Sequence, residues 1–230
     1  MPTHLVTGAG AGIGAALADV LAARGDDLVL LARDDRRAND LRRAYPGCAT
    51  LVADLAAPLA LADALAGQDL PERLDSLVHV AGVAELGGVA ELSAAAWSRT
   101  LDVNLVAPAE LTRLLLPALR AGRGHVVLVN SGSGLRANPG WSAYAASKHG
   151  LKALADALRA EEQESGIRVT SVYPGRVATA MQEKVHQHEG REYDPADWIQ
   201  PASVATAIVT ALDLPRDAEM TDVTVRPGPG

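Results

Sequence analysis

Apolar residues recur along the chain in short, nearly unbroken runs separated by longer stretches of mixed character. The runs are His4–Thr7, Asp27–Ala32, Cys48–Ala53, Asp75–Val80, Gly124–Asn130, Ile167–Tyr173 and Asp222–Val225. Runs rich in Val and Leu without strict alternation predict strands buried on both faces. The intervening stretches carry helix-forming residues: Ala15–Arg24, the charged segment to Tyr45, a helix from near Pro58, Ala94–Ala121, Tyr144 to about Glu164, and Pro201–Leu212. Ala94–Ala121 reads as one long helix with apolar faces that include Leu101, Leu111, Leu115 and Leu119. Val177–Trp198 has no such period and reads as an irregular polar segment. The tail Arg226–Gly230 carries neither a helix nor a strand signal.

Strand and helix alternate about seven times, which predicts an α/β fold: one doubly wound, Rossmann-type domain over residues 1–230, its mostly parallel seven-stranded sheet covered by helices on both faces. Ligands of such sheets bind beyond the carboxyl ends of the strands. Thr7, Arg33, Asp54, Gly82, Ser131 and Pro174 all end or follow predicted strands, so the topology brings them to one crevice.

The first strand-to-helix junction is glycine-rich, Gly8-Ala-Gly-Ala-Gly-Ile-Gly14. Glycines let the backbone approach a pyrophosphate, and a helix start offers free N–H groups and a positive dipole. Gly10, Gly12 and Ala15 also fit the dinucleotide fingerprint, although the same turn serves plain strand-to-helix packing. At the end of the second strand an acid would bind a ribose 2′-hydroxyl, whereas arginine accommodates a 2′-phosphate. Here stand Ala32 and Arg33, with Arg36 and Arg37 one turn on, which favours NADP(H) over NAD(H). Asp54 can accept from an adenine amino group or cap the helix near Pro58.

Tyr144 and Lys148 lie four apart in a helical stretch, one turn apart on one face. A phenol with a pKa of about 10 exchanges protons poorly at neutral pH unless it is tuned. A neighbouring cation favours the phenolate, and Ser131 at the preceding strand end can bring a hydroxyl to the same place. The pair alone is weak evidence, since many helices carry such pairs on their surface. Asn104 is a polar residue in an apolar stretch, and Pro108 follows four residues later. Proline has no N–H to give the Asn104 carbonyl, so a kink and an open carbonyl are expected there.

Composition removes several alternatives. With 48% hydrophobic residues among 230, the chain can build a sizeable core; with 3% aromatics and no Phe, that core must be Ala, Val and Leu. A net charge of -7 argues against a nucleic-acid surface. Cys48 is the lone cysteine, which suits a reducing compartment. No run is long enough to span a bilayer, and no signal pattern precedes the first strand, so a cytoplasmic protein is expected. His186 and His188 with Glu189 argue only weakly for a metal site, a spacing of two on a loop with no further ligand set; a mobile segment near a substrate pocket is the reading instead, and no metal is expected.

On these residues the chain resembles the short-chain dehydrogenase/reductase family over nearly its whole length. Thr7-Gly8-x-x-x-Gly12-Ile13-Gly14 matches the family's cofactor motif. Asn104, Ser131, Tyr144 and Lys148 match its four catalytic positions, Ser131 rather than Ser133 because of its thirteen-residue interval to Tyr144. The resemblance implies an NAD(P)(H)-dependent oxidoreductase that moves a hydride between nicotinamide and a small-molecule carbonyl or secondary alcohol. It implies further cofactor contacts from Gly10 in the turn and from Asp54 and Leu55 under the adenine. Ala81 and Gly82 follow at the fourth strand. Pro174, Gly175, Val177 and Thr179 lie on the nicotinamide side, with Asn104, Tyr144 and Lys148 beside them. In that scheme Tyr144 is the acid or base, Lys148 lowers its pKa and holds the ribose, Ser131 steadies the substrate oxygen, and Asn104 holds a water. Two departures stand out: His79-Val80-Ala81-Gly82 replaces an Asn-Asn-Ala-Gly pattern, and Ala11 stands where many NADP-preferring members carry a basic residue. The segment 177–198 would shape substrate choice. The central helices would support a homodimer or homotetramer. A nonenzymatic NADP-sensing protein, an NAD-preferring alcohol dehydrogenase and a lyase or epimerase are the competing readings.

Overall fold

The computed structural model describes residues 1–228; Pro229 and Gly230 of the expected structureless tail lie outside them. Seven strands form one sheet: β1 (Thr3–Thr7), β2 (Asp27–Ala32), β3 (Ala49–Val52), β4 (Ser76–His79), β5 (His125–Val129), β6 (Arg168–Pro174) and β7 (Asp222–Val225). Their order is β3-β2-β1-β4-β5-β6-β7, and every pairing is parallel. The order reverses direction between β1 and β4, the place where a doubly wound sheet opens its crevice.

The apolar runs bury both strand faces. Along β1, Leu5 packs into one core with residues of α5 (Ala107–Gly122) and α6 (Ser142–Glu161), among them Leu111, Leu115, Leu151 and Ala155. The next residue, Val6, faces the other core, which holds Leu17 and Leu21 of α1 (Gly12–Ala23) and Val204 and Ile208 of α8 (Pro201–Asp213). The alternation of side chains along a strand divides each continuous run between two layers. α2 (Asp35–Ala44) and the short α3 (Leu61–Leu65) complete the cover near β2 and β3. Among the described residues no helix is long and apolar enough to cross a membrane.

Two expected elements differ. The stretch Ala94–Ala121 is not one regular helix: α4 (Ala94–Leu101) leads through a π turn at Asp102–Val106 into α5. There the Ala107 N–H reaches back five residues to the Asp102 carbonyl. The proline at 108 places the break where expected, and the helix accommodates it with a wider turn. The segment 177–198, expected to be irregular, contains α7 (Ala180–Glu189). The Thr179 side chain accepts from the Gln182 N–H at its start, and Gly190 closes it at φ 65°. Gln182, Val185 and His186 are its buried stripe. Thr179-x-x-Gln182 and Gly190 are helix boundary signals that outweigh the polar composition between them.

Three histidines are buried in the sheet, His4, His79 and His125, and the last two are neutral rings. His79 Nε2 pairs with Thr112 Oγ1 at 2.9 Å, and His125 Nε2 with Thr170 Oγ1 at 2.7 Å. The Thr112 partner restores a polar bond on β4 where the family pattern has amides. Burial foremost, then the Lys148 charge, pushes the His79 pKa down to about 3. Burial, then Arg168 and Arg216, pushes His125 down to about 3. A ring with a depressed folded-state pKa binds its proton first in the unfolded chain. Stability is therefore complete above the unfolded value near 6.5 and is lost as pH falls toward 3. Each ring should cost about 2 kcal/mol between pH 7 and pH 5. Urea midpoints should drop over that interval, and His79→Gln and His125→Gln should each flatten the drop; variants with the parent's pH slope would contradict it.

Candidate active site at the carboxyl edge of the sheet

A cavity of about 1020 Å³ runs along the carboxyl edge, from Arg33 and Asp54 past the glycine turn to Ser131, Tyr144, Lys148 and the residues of α7. Its form follows from how closely the first and fourth strands end together. Thr7 Oγ1 accepts from the Val80 N–H at 3.0 Å and the Ala81 N–H at 3.1 Å. Gly8 is at φ 73°, and a Cβ there would stand 2.9 Å from the Ala81 nitrogen. Glycine is therefore required both by the backbone angle and by the contact.

The glycine turn has the properties a pyrophosphate needs. Gly12 is at φ 54°, Gly14 packs so closely on the Gly8 carbonyl that no side chain fits, and Ala11 at the helix start offers no side-chain cap. The first N–H groups of α1 thus have no side-chain acceptor and a bare backbone in front of them. Gly8, Gly10, Gly12 and Ile13 line the cavity, as do Leu55, Ala81, Gly82, Pro174, Gly175, Val177 and Thr179. Thr7, Gly14 and Asn104 stand behind the wall and hold it.

At the adenine end Asp34 is fully engaged. Its Oδ1 accepts from the Arg37 N–H at 2.7 Å as the cap of α2, and its Oδ2 accepts from Arg33 Nε at 2.9 Å. Those bonds hold its carboxyl below the ordinary range. Arg33 lies open to solvent, and Arg37 Nη2 donates to the Gly10 carbonyl at 2.7 Å. A guanidinium reached from α2 therefore sits at the glycine turn, next to the position where Ala11 supplies no charge. Asp54 Oδ1 accepts from the Ala56 N–H at 2.9 Å and does not cap the turn at Pro58.

At the other end Tyr144 and Lys148 rise from α6. Lys148 is 4% exposed, and its Nζ donates to the Val129 carbonyl at 2.9 Å. Its Nζ is 5.9 Å from the centre of the Tyr144 ring. Burial pushes the Lys148 pKa down to about 8. Burial also pushes the Tyr144 phenol up, and the Ser131 hydroxyl draws it back in part. The expectation that Lys148 lowers the phenol is thus not met by the protein alone. The ammonium is turned to a strand carbonyl, and loss of water dominates at the phenol. Trp141 packs edge-on against Tyr144 with ring centres 5.7 Å apart.

Asn104 reaches this site through its side chain. Oδ1 accepts from the Val83 N–H at 2.9 Å, while Nδ2 donates to the Val83 carbonyl at 2.9 Å and to Ser147 Oγ at 3.0 Å. A Cβ on Gly82 would stand 3.2 Å from Asn104 Oδ1 and 3.9 Å from Lys148 Nζ, which leaves only glycine with ample room. Two holding residues were not singled out from the sequence. Asn130 donates from Nδ2 to the Lys148 carbonyl at 3.0 Å and accepts from the Ser131 N–H at 2.8 Å. It ties the strand end to the catalytic-type helix, and its signal was an amide ending an apolar run. Ser147 links Asn104 to the Tyr144 carbonyl, to which it donates at 2.7 Å. In the segment 177–198 His186 is buried on Gln182 and Glu189 pairs with Arg176, and no group of three or more metal-binding side chains occurs among the described residues.

Comparison with known proteins agrees with the fold and the family resemblance. The family model for short chain dehydrogenases matches residues 2–190. Oxidoreductase UcpA of Escherichia coli is 34% identical over 227 residues, spanning 96% of this chain and 84% of that protein. A solved oxidoreductase of the short chain dehydrogenase/reductase family from Burkholderia thailandensis is 34% identical, covers 98% of this chain and 91% of its own, and has a TM-score of 0.81. A 4-hydroxyisoleucine dehydrogenase complexed with NADH is 26% identical, with a TM-score of 0.84 and coverage of 99% and 98%. With the sheet, the glycine turn and a match that spans most of the chain, this protein belongs to the short-chain dehydrogenase/reductase family and is an oxidoreductase.

Proposed function

We propose that the protein is an NADPH-dependent carbonyl reductase, acting on a small-molecule ketone or aldehyde or, in reverse, on the secondary alcohol. The observation that carries this reading is the grouping of Ser131, Tyr144 and Lys148 on the cavity that also contains the glycine turn. When bound, the nicotinamide supplies or takes the hydride. Everything else falls to side chains. Tyr144 donates the proton to the carbonyl oxygen. Ser131 hydrogen-bonds that oxygen as negative charge develops. Lys148, released from the Val129 carbonyl, holds the nicotinamide ribose and brings its charge to the phenol. Asn104, whose side chain is spent on Val83 and Ser147, has its main-chain carbonyl left to hold a water in a relay from Lys148 to solvent. Trp141 and α7 exclude water from the reacting end.

The choice of NADP(H) over NAD(H) rests on three features together. Ala32 offers no carboxylate, Asp34 is consumed by capping α2, and the guanidiniums of Arg33 and Arg37 line the cavity at the end where a 2′-phosphate would be held. Arg33 would meet it from the strand end and Arg37 from above Gly10. An NADH-bound relative keeps the NAD-preferring dehydrogenase as the second reading. A cytoplasmic setting and a homodimer or homotetramer formed through α5 and α6 belong to the same proposal.

Tyr144→Phe should lower kcat by a hundredfold or more, on the order expected for loss of a general acid, while NADPH still binds. Activity within a few-fold of the parent would remove Tyr144 from the role. Arg33→Ala combined with Arg37→Ala should cut kcat/KM for NADPH about tenfold to a hundredfold and leave that for NADH nearly unchanged; a parent that already prefers NADH overturns the cofactor choice. Pro108→Ala, which restores an N–H opposite the Asn104 carbonyl, should lower kcat more than it alters the KM for cofactor. An unchanged kcat would remove the relay.

A further inference from the structure

A second cavity, of about 520 Å³, lies at the opposite edge of the sheet, where β6 begins and the chain leaves α8. Four arginines line it: Arg123, Arg159, Arg168 and Arg216. Arg159 has carboxylate neighbours, with Asp156 at 3.1 Å and Glu219 at 3.9 Å. The other three form no ion pair among the described residues. They converge nonetheless. Arg216 Nη1 donates to the Gly166 carbonyl at 3.2 Å, and a Cβ on Gly166 would stand 2.8 Å from Arg123 Nε. Arg168 lies half-buried between this pair and the sheet. Its terminal nitrogens donate to the carbonyls of Leu214 at 2.6 Å and Leu212 at 3.1 Å, and its Nε is buried without an acceptor.

Like charges held together are costly unless an opposite charge joins them. Three carboxylates, Asp156, Asp217 and Glu219, line the same cavity and offset part of this charge, but none forms an ion pair with Arg123, Arg168 or Arg216 among the described residues. Asp156 is engaged by Lys152 and Arg159. Glu219 accepts from the Val169 N–H at 2.6 Å. Asp217 is exposed and forms no ion pair among the described residues. Arg123 itself ends α5 in the left-handed conformation at φ 48°, the one non-glycine residue at positive φ among those described. Burial, followed by the Arg216 charge, holds the Arg168 guanidinium below its ordinary range, with the Glu219 charge acting against them.

We infer that Arg123, Arg168 and Arg216 form a binding site for a phosphate group, distinct from the cofactor cavity and on the far edge of the sheet. Guanidinium forks match the oxygens of a phosphate, and Arg123 and Arg216, both exposed, have donors to spare while Arg168 supplies charge from beneath. The group can come as free inorganic phosphate or as the phosphoryl of a small phosphate monoester.

Melting curves of the full chain with NADP⁺ saturating, at constant ionic strength balanced with chloride, test it. Inorganic phosphate and glycerol 3-phosphate are titrated in separate arms, and phosphorus NMR line widths are recorded with each. The expected result is a rise in Tm of about 2–4 °C at saturation in at least one arm, with line broadening, and the tighter arm identifies the source. Arg123→Gln with Arg216→Gln should abolish both effects and leave the KM for NADPH and kcat unchanged, because neither residue reaches the cofactor cavity. Absence of a response in both arms overturns the inference. So does a response that the double variant retains, since it would come from the glycine turn. The proposed cofactor preference can fail independently, because it is read from kinetics with NADPH and NADH.

Discussion

The close approach of two strand ends is the constraint on which this structure depends. β1 and β4 are neighbours in the sheet, yet their continuations diverge, one into the glycine turn and α1, the other toward Val83. Thr7 bridges the two just before they part, by accepting from the Val80 and Ala81 N–H groups. Gly8 makes that approach sterically possible. Without the bridge, two backbone donors at the edge of a buried sheet would lack partners, which is among the more expensive defects a fold can hold. With it, the mouth of the crevice is fixed by backbone, and residues such as Gly12 and Gly82 fall into place by connectivity.

The same economy governs the polar residues behind the site. Asn104 and Asn130 use most of their bonding capacity on main-chain atoms, and Ser147 accepts from the Asn104 side chain while donating to the Tyr144 carbonyl of its own helix. Asn130 joins β5 to α6, Asn104 joins the π turn to Val83, and Ser147 joins α6 to Asn104. Satisfied polar networks of this kind rigidify what they connect. Tyr144 and Lys148 therefore sit on a helix that is positioned from two sides before any ligand arrives. By contrast α7 is fastened from the rim. Arg176 pairs with Glu189 through two bonds of 2.8 and 2.6 Å and packs over Trp198. That attachment is partly exposed and correspondingly weaker.

Most of the architecture was legible in the sequence because parallel strands buried on both faces announce themselves as unbroken apolar runs. The convergence of Ser131, Tyr144 and Lys148 on one cavity with the glycine turn was legible for the same reason, since strand ends in such a sheet share an edge. What escaped depended on long-range partners. α7 was obscured by its polar composition, although its cap at Thr179 and stop at Gly190 were present. Asn130 and Ser147 gave no periodic or motif signal, because their role is defined by which carbonyl lies opposite. The electrostatics of Tyr144 also ran against expectation: proximity in sequence places Lys148 on the same face, but the nearest acceptor for its ammonium is Val129.

The π turn between α4 and α5 has one more consequence. A turn of that kind is a helix holding one residue more than its rise requires. Each helical residue advances the side-chain direction by about 100°, so the extra one sets the phase of all that follows. Downstream of Val106, the phase brings Leu111 and Leu115 onto the core and Thr112 onto His79. Within the turn itself, Asn104 faces Val83. The turn and the helix that follows it are thus indexed to different partners, the site and the core. Chain length at this point acts as an angular setting: the loss of a single residue would rotate one relative to the other, whichever residue it was.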